Sequence, residues 1–210
     1  THTGILNGKR ISAIATGIGP DNIDIVVNEL DALVNIDFKT RTINMNKKTL
    51  NLIRLGTSGS LQQDIEVDSF LLSSFGLGLD NIAHFYESKE IIEQEMSSKY
   101  KQHASWPGNL SNPYIVKASD KLLSLFPDIK KGITATAPGF YGPQGRTLRL
   151  NPNITNLHEK MESFNYKENR ITNFEMETSA LYFLGKALGH NTLTICAIIG
   201  NRITQKQSKD

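Results

Sequence analysis

The chain's 210 residues suit a single α/β domain built around one core. Lys and Arg number 23 against 21 Asp and Glu, a formal net charge of +2. That balance excludes a global electrostatic pull toward nucleic acid or an anionic membrane, so any anionic ligand must be held locally. The single cysteine, Cys196, rules out an intrachain disulfide framework, and its place in the apolar run LTICAII reads as a small buried hydrophobe. No apolar run approaches the ~20 residues of a membrane helix and no signal peptide is evident, so a reducing cytoplasm is the expected compartment. The segments THTGILNGKRI and QKQSKD at the two ends look like points inside a longer protein.

In chain order, RISAIA (10–15) reads as a short buried strand closed by the turn Thr16-Gly17-Ile18-Gly19-Pro20. A helix starts at Pro20 and Asp21, with Ile23, Val26, Val27, Leu30 and Leu33 at helical spacing. NIDFKTRTINMNKK alternates weakly and suggests a hairpin; TLNLIRLG and DSFLLSSFG are strands that run into glycine. From Gly76 to Pro113 the composition indicates loop, with a helical piece from Ser88 to Tyr100. YIVKAS and GITATA are further strands flanking a short helix in DKLLSLF, and a loop runs from Gly139 to Gly145. Helices are expected in ITNLHEKMESF and from Phe174 to Leu188, the latter stopped by Gly189, before a closing strand TLTICAII. Strands alternating with helices, with no repeat or low-complexity tract, define an α/β layered fold.

In such folds ligands sit beyond the carboxyl ends of strands, where loops converge on a rigid frame. The Gly17 turn is half of a dinucleotide fingerprint, but Pro20 and Asp21 follow without a third glycine, which argues against a nicotinamide site. Arg54, in the otherwise apolar strand IRLGTSGS, is expensive to bury without an anion. Gly56 and Gly59 permit close backbone approach there, and the Thr57 and Ser58 hydroxyls add donors, so an oxyanion site fits; an internal carboxylate paired with Arg54 fits as well. In FYGPQGR, Phe140 offers a stacking face, Gln144 paired donor and acceptor groups, and Arg146 a donor fork, a set matched to the imide edge of a pyrimidine, although an exposed turn would look the same. In NFEMETSA, Glu175 and Glu177 open a helix; carboxylates there either complement the helix dipole or grip a vicinal diol such as that of ribose.

Taken together and in order, TGIG, IRLGTSGS, FYGPQGR, FEMETSA and IGNR resemble the nucleoside phosphorylase family of the uridine phosphorylase and hexameric purine phosphorylase type. The resemblance spans nearly the whole chain and implies a three-layer α/β/α sandwich around a central mixed, partly barrel-like sheet, with residues 1–210 as one catalytic domain. By that similarity Arg54 and Thr57 contact phosphate together with the Ser58-Gly59 segment. Glu175, Met176 and Glu177 belong to the ribose side, with Met176 and Glu177 on its hydroxyls. Phe140, Gln144 and Arg146 form the base pocket, and Arg202 sits beside the base. The Gln and Arg of the base loop resemble uridine enzymes, and Gly200-Asn201-Arg202 stands where purine enzymes carry an acid.

The implied reaction is phosphorolysis of uridine to uracil and ribose 1-phosphate, with inorganic phosphate as co-substrate, no cofactor, no metal, and a homo-oligomer of dimeric or hexameric type as partner. A purine phosphorylase, a hydrolytic nucleosidase and a non-catalytic nucleoside-binding protein are the alternatives on the same scaffold. The resemblance also implies an N-terminal strand with a glycine-rich phosphate loop, and a C-terminal helix, outside this sequence. TRTINMNKKTL departs from the shorter bacterial pattern.

Overall fold

The structure, a computed structural model, describes residues 1–87 and 89–209. Ser88, at the start of the expected helical piece, lies outside the described residues. The chain opens with a hairpin, β1 (His2–Leu6) and β2 (Lys9–Ala13), whose residues are all exposed. This corrects the expectation of a buried strand. Among the described residues β2 pairs only with β1, and its side chains stay open to solvent. Helix α1 (Pro20–Asn35) buries Ile23 and Val27, whereas Leu33 faces solvent. The expected hairpin is small: β3 (Ile36–Asp37) pairs with β4 (Thr42–Ile43).

The central sheet begins with β5 (Asn51–Ser60), which continues straight through the glycines at which it was expected to end. β6 (Phe70–Gly78) follows, and a helix α2 (Gln94–His103) lies somewhat later than the sequence suggested. Next come β7 (Tyr114–Lys117), the short α3 (Asp120–Leu123) and β8 (Lys131–Thr136). Only Leu157–Glu162 of ITNLHEKMESF is helical (α4), and β9 (Asn165–Tyr166) forms a turn of sheet with the strand after it. That strand, β10 (Asn169–Glu175), was not anticipated. It takes the first residues assigned to the last helix, α5, which runs from Thr178 to Ala187. β11 (Asn191–Asn201) closes the chain's regular structure.

Hydrogen bonding runs β11–β5–β10–β8–β6, and β6 pairs back to β11, so five strands close into a ring with β7 attached to β6. The ring is mixed: β5 is parallel to β11 and antiparallel to β10, and β8 is parallel to both β10 and β6. Alternation along strands sends side chains into two cores. On β7, Tyr114 and Val116 join α1, α3 and α5, while Ile115 joins α2 and α4 through Met96, Tyr100, Leu157 and Met161. This is the three-layer α/β/α arrangement around a partly barrel-like sheet.

The packing tolerates no added methyl at Gly78, where a Cβ would overlap the buried Tyr114 ring. Tyr114 is held by Asp80 Oδ1 at 2.8 Å and cannot retreat cheaply. Gly78→Ala is therefore expected to lower unfolding free energy by about 1–3 kcal/mol, measured by urea denaturation; a change under ~0.5 kcal/mol would show that the ring gives way freely.

Candidate active site

A cleft of about 1170 Å³ opens where β5, β10 and β11 end and the Gly139–Arg146 loop folds over them. Every residue the sequence put forward lines it: Arg54, Thr57, Ser58 and Gly59 from β5; Phe140, Gln144 and Arg146 from the loop; Glu175, Met176 and Glu177 from the β10–α5 junction; and Arg202 after β11. Cys196 is fully buried, and burial, with Glu175 adding, pushes its thiol up to about 11, so it is an inert core residue as expected.

One side of the cleft is built on carboxylates. Glu175 ends β10 and is buried; it accepts from Thr136 Oγ1 (2.8 Å) and from the backbone N–H groups of Glu177 (3.0 Å) and Thr178 (3.1 Å). It thereby satisfies orphan donors at the start of α5, the role that the helix dipole favours. Arg54 Nη1 lies 3.0 Å from Glu175 Oε2, and Nη2 donates to Glu177 Oε2. The internal carboxylate that sequence reasoning left open as a partner for Arg54 is thus present, twice. Burial raises the Glu175 pKa against the pull of Arg54. For Arg54, burial works to lower the pKa, but Glu175 and Glu177 outweigh it and the net shift is upward, so the guanidinium stays charged.

Glu177 Oε1 also accepts from the Gly19 N–H at 2.7 Å. Gly19 adopts φ 101°, a conformation closed to most side chains, and this lets the turn before α1 aim its N–H at the carboxylate. The TGIG turn thus gives the N–H of its last residue to Glu177. Ser58 is buried and accepts from Asn173 Nδ2 at 2.8 Å, while Thr57 is exposed at the rim.

The other side is aromatic and cationic. Arg146 sits over the half-exposed Phe140 ring at 3.8 Å and donates to Gln144 Oε1 and to the Phe140 carbonyl. Gln144 is buried. Arg202 lies over Phe174 at 4.3 Å. Among the described residues neither Arg146 nor Arg202 has a carboxylate within ion-pair distance, in contrast to Arg54. Burial first, and then Arg146, depresses the Arg202 pKa to about 10, leaving it a cation at neutral pH. Two guanidiniums on one wall of the cavity, neither in an ion pair, favour a ligand that presents acceptors or develops negative charge beside them. Asn201, by contrast, is structural. Its Nδ2 donates to the carbonyls of Gln62 (2.9 Å) and Ile65 (2.7 Å), and its Oδ1 accepts from Ile203 and Thr204 N–H groups.

Phe174, His158, Gln205, Lys206 and Gln207 line the cleft and were missed from sequence. Phe174 was hidden because FEME was read as helix, and His158 carried no local signal beyond a polar residue beside the apolar pair Leu157 and Met161. Burial and the neighbouring Arg202 lower the His158 pKa, which keeps its ring neutral at pH 7.

The family model described as the phosphorylase superfamily matches residues 1–209. The uridine phosphorylase of Thermococcus kodakarensis is 28% identical over 209 residues, all of this chain, and the chain spans 64% of that enzyme's length. A DeoD-type purine nucleoside phosphorylase of Clostridium perfringens is 29% identical over 207 residues, 99% of this chain and 70% of its own. A crystal structure of a Trypanosoma brucei nucleoside phosphorylase, described as showing uridine phosphorylase activity, superposes with a TM-score of 0.85 at 25% identity, covering 99% of this chain and 76% of that one. With a match over essentially its whole length, and with the expected motifs gathered into one cleft at the strand ends, the chain belongs to the phosphorylase superfamily.

Proposed function

We propose that this chain carries the catalytic cleft of a nucleoside phosphorylase that splits uridine with inorganic phosphate, giving uracil and ribose 1-phosphate. The observation that carries this reading is the pairing of Gln144 with Arg146 beside Arg202, a donor-rich wall whose guanidiniums, among the described residues, have no carboxylate within ion-pair distance. Breaking the C–N bond develops positive charge on the sugar and negative charge on the departing base. Gln144, Arg146 and Arg202 stabilise the base as its charge grows, so no general acid is required, and Asn201 supplies none. Arg54 orients phosphate at the β5 end with Thr57, Ser58 and Gly59, while Glu177 and Met176 fix the ribose. Glu175, with its lone pairs turned to Thr136, the α5 N-terminus and Arg54, supports that frame from behind. Phosphate is the co-substrate, and the chemistry needs no further cofactor or metal. We place the protein in a homo-oligomer, dimer or hexamer, by analogy with the family resemblance.

A hydrolytic reading is favoured by one feature. Around Arg54 a single cation faces two carboxylates, a balance that suits water better than a phosphate dianion unless further cations join the site. Uracil release from uridine, assayed with and without phosphate and beside inosine, separates the readings. Release that depends on phosphate and prefers uridine is expected; release that persists without phosphate, or that favours inosine, overturns uridine phosphorolysis.

A further inference from the structure

His158 lines the cleft from the second position of α4. Its ring leans on Phe174 with centroids 5.6 Å apart. It also covers Gly145, where a Cβ would come within 3.2 Å of Cε1, so the base loop and the imidazole are fitted to one another. His158 Nε2 lies 2.8 Å from Arg202 Nη1 and 2.6 Å from the Gln144 carbonyl oxygen, and Arg202 Nη1 is 3.4 Å from that same oxygen. Among the described residues His158 is the only polar side chain that Arg202 touches.

A single ring nitrogen cannot accept from one neighbour and donate to the other at once. Arg202 always carries its protons and needs a lone pair on Nε2, whereas the Gln144 carbonyl can only accept and needs an Nε2–H; the bond from the charged guanidinium is the stronger of the two, so Nε2 keeps its lone pair for Arg202 and the imidazole proton sits on Nδ1. Arg202 then has further N–H groups with which to reach the Gln144 carbonyl. An imidazolium would add a third cation to two that already repel, and the burial of the ring opposes it too. Without such an anchor, Arg202 has only the Phe174 face and one main-chain oxygen to hold it against Arg146.

We propose that His158 is a positioning residue of the leaving-base pocket. As an acceptor through Nε2 it holds the Arg202 guanidinium over Phe174 and ties it to the Gln144 main chain, so that Arg202 and Gln144 present their donors to one edge of the base. The proposal rests on the nucleoside reading of the cleft. It extends that reading to a residue that acts through its two neighbours.

The test uses the whole protein with His158→Leu, which keeps volume without the acceptor, and His158→Gln, which returns a planar acceptor near the Nε2 position. His158→Leu is expected to raise the KM for uridine about 10- to 100-fold, the loss of one hydrogen bond to a charged group, while the KM for phosphate stays within about threefold of the parent, half a decade. His158→Gln should recover most of that loss. Nitrogen NMR of the parent's imidazole gives a readout that needs no turnover: Nε2 should show the unprotonated signature at pH 7, and Arg202→Met should move the proton to Nε2, where the Gln144 carbonyl is left as its partner. A protonated Nε2 in the parent, or a uridine KM in His158→Leu within twofold of the parent, overturns the proposal. A parent that neither cleaves uridine nor binds uracil in calorimetry overturns the nucleoside reading instead, and with it the base-pocket role, even where the nitrogen spectrum shows the His158–Arg202 pairing. If His158→Leu fails to fold, the spectrum and His158→Gln carry the decision: a Gln variant with parental KM beside an unprotonated Nε2 supports the role, and any other pair of results rejects it.

Discussion

Gln144→Ala and Arg146→Ala are each expected to cut the rate of uridine phosphorolysis by about 10²-fold or more, the cost of removing one donor aimed at charge that develops in the transition state. Folding stability should move little by comparison. Arg146 is only partly buried and stacks on the half-exposed Phe140, and Gln144 contributes one side-chain bond, to Arg146, so the loss should be about 1 kcal/mol. The two residues are bonded to one another, so their effects should couple: the double variant should lose less than the product of the single losses, because each single change already misplaces the partner. Steady-state phosphorolysis within threefold of the parent in both single variants would reject their assignment to the base.

The second large effect concerns Arg54. Arg54→Met leaves Glu175 buried with no cation beside it among the described residues, and Glu177 with the Gly19 N–H as its donor. Removing one partner of a buried pair typically costs about 3–5 kcal/mol, so a loss of that order in urea denaturation at pH 7 is expected. The pH dependence has a definite sign. The Glu175 pKa is raised in the folded protein above its ordinary value of 4.5, by burial first, and removing Arg54 takes away the main influence holding it down. Between the ordinary and the folded pKa the folded state keeps a proton that the unfolded state has released, so stability falls as pH rises through that window. The deficit of Arg54→Met should therefore shrink as pH drops toward 4.5. A deficit that stays constant or grows on acidification would show that the unpaired Glu175 charge is not its source. Adding Glu175→Gln to Arg54→Met should restore part of the lost stability, because an amide replaces the stranded charge.

Much of the fold was legible where local pattern and burial agree. The strands LNLIRLG, SFLLSSFG, YIVK and GITAT carry dense apolar or β-branched runs bounded by turns, and each is a strand of the central sheet. β10 was not legible for a physical reason. Its last five residues, Ile171–Glu175, are buried in succession between β8 and β5, so it lacks the alternation that marks a strand with one wet face. The apolar residues that follow have helical spacing and drew the helix assignment back over Phe174 and Glu175. The opposite error befell β2: RISAIA has the composition of a buried strand, yet burial depends on neighbours, and among the described residues the one strand paired with it is β1. Ile5, Leu6 and Ile11 are accordingly exposed.

From the amino-acid sequence alone came the layered α/β class, the local grouping of Gln144 with Arg146 within one tight loop, and the small set of charged and aromatic residues at strand ends. Each of these depends on neighbours a few residues apart, and local chemistry carries that far. Tertiary structure alone decided that Arg54 meets Glu177 across a sequence separation of 123 residues, that Glu177 also takes the Gly19 N–H, and that His158 reaches Arg202. Those meetings follow from the order of strands in the closed sheet, which brings the ends of β5, β10 and β11 to one mouth. Strand order is set by the joint packing of two cores, a property of the whole chain that no single segment encodes.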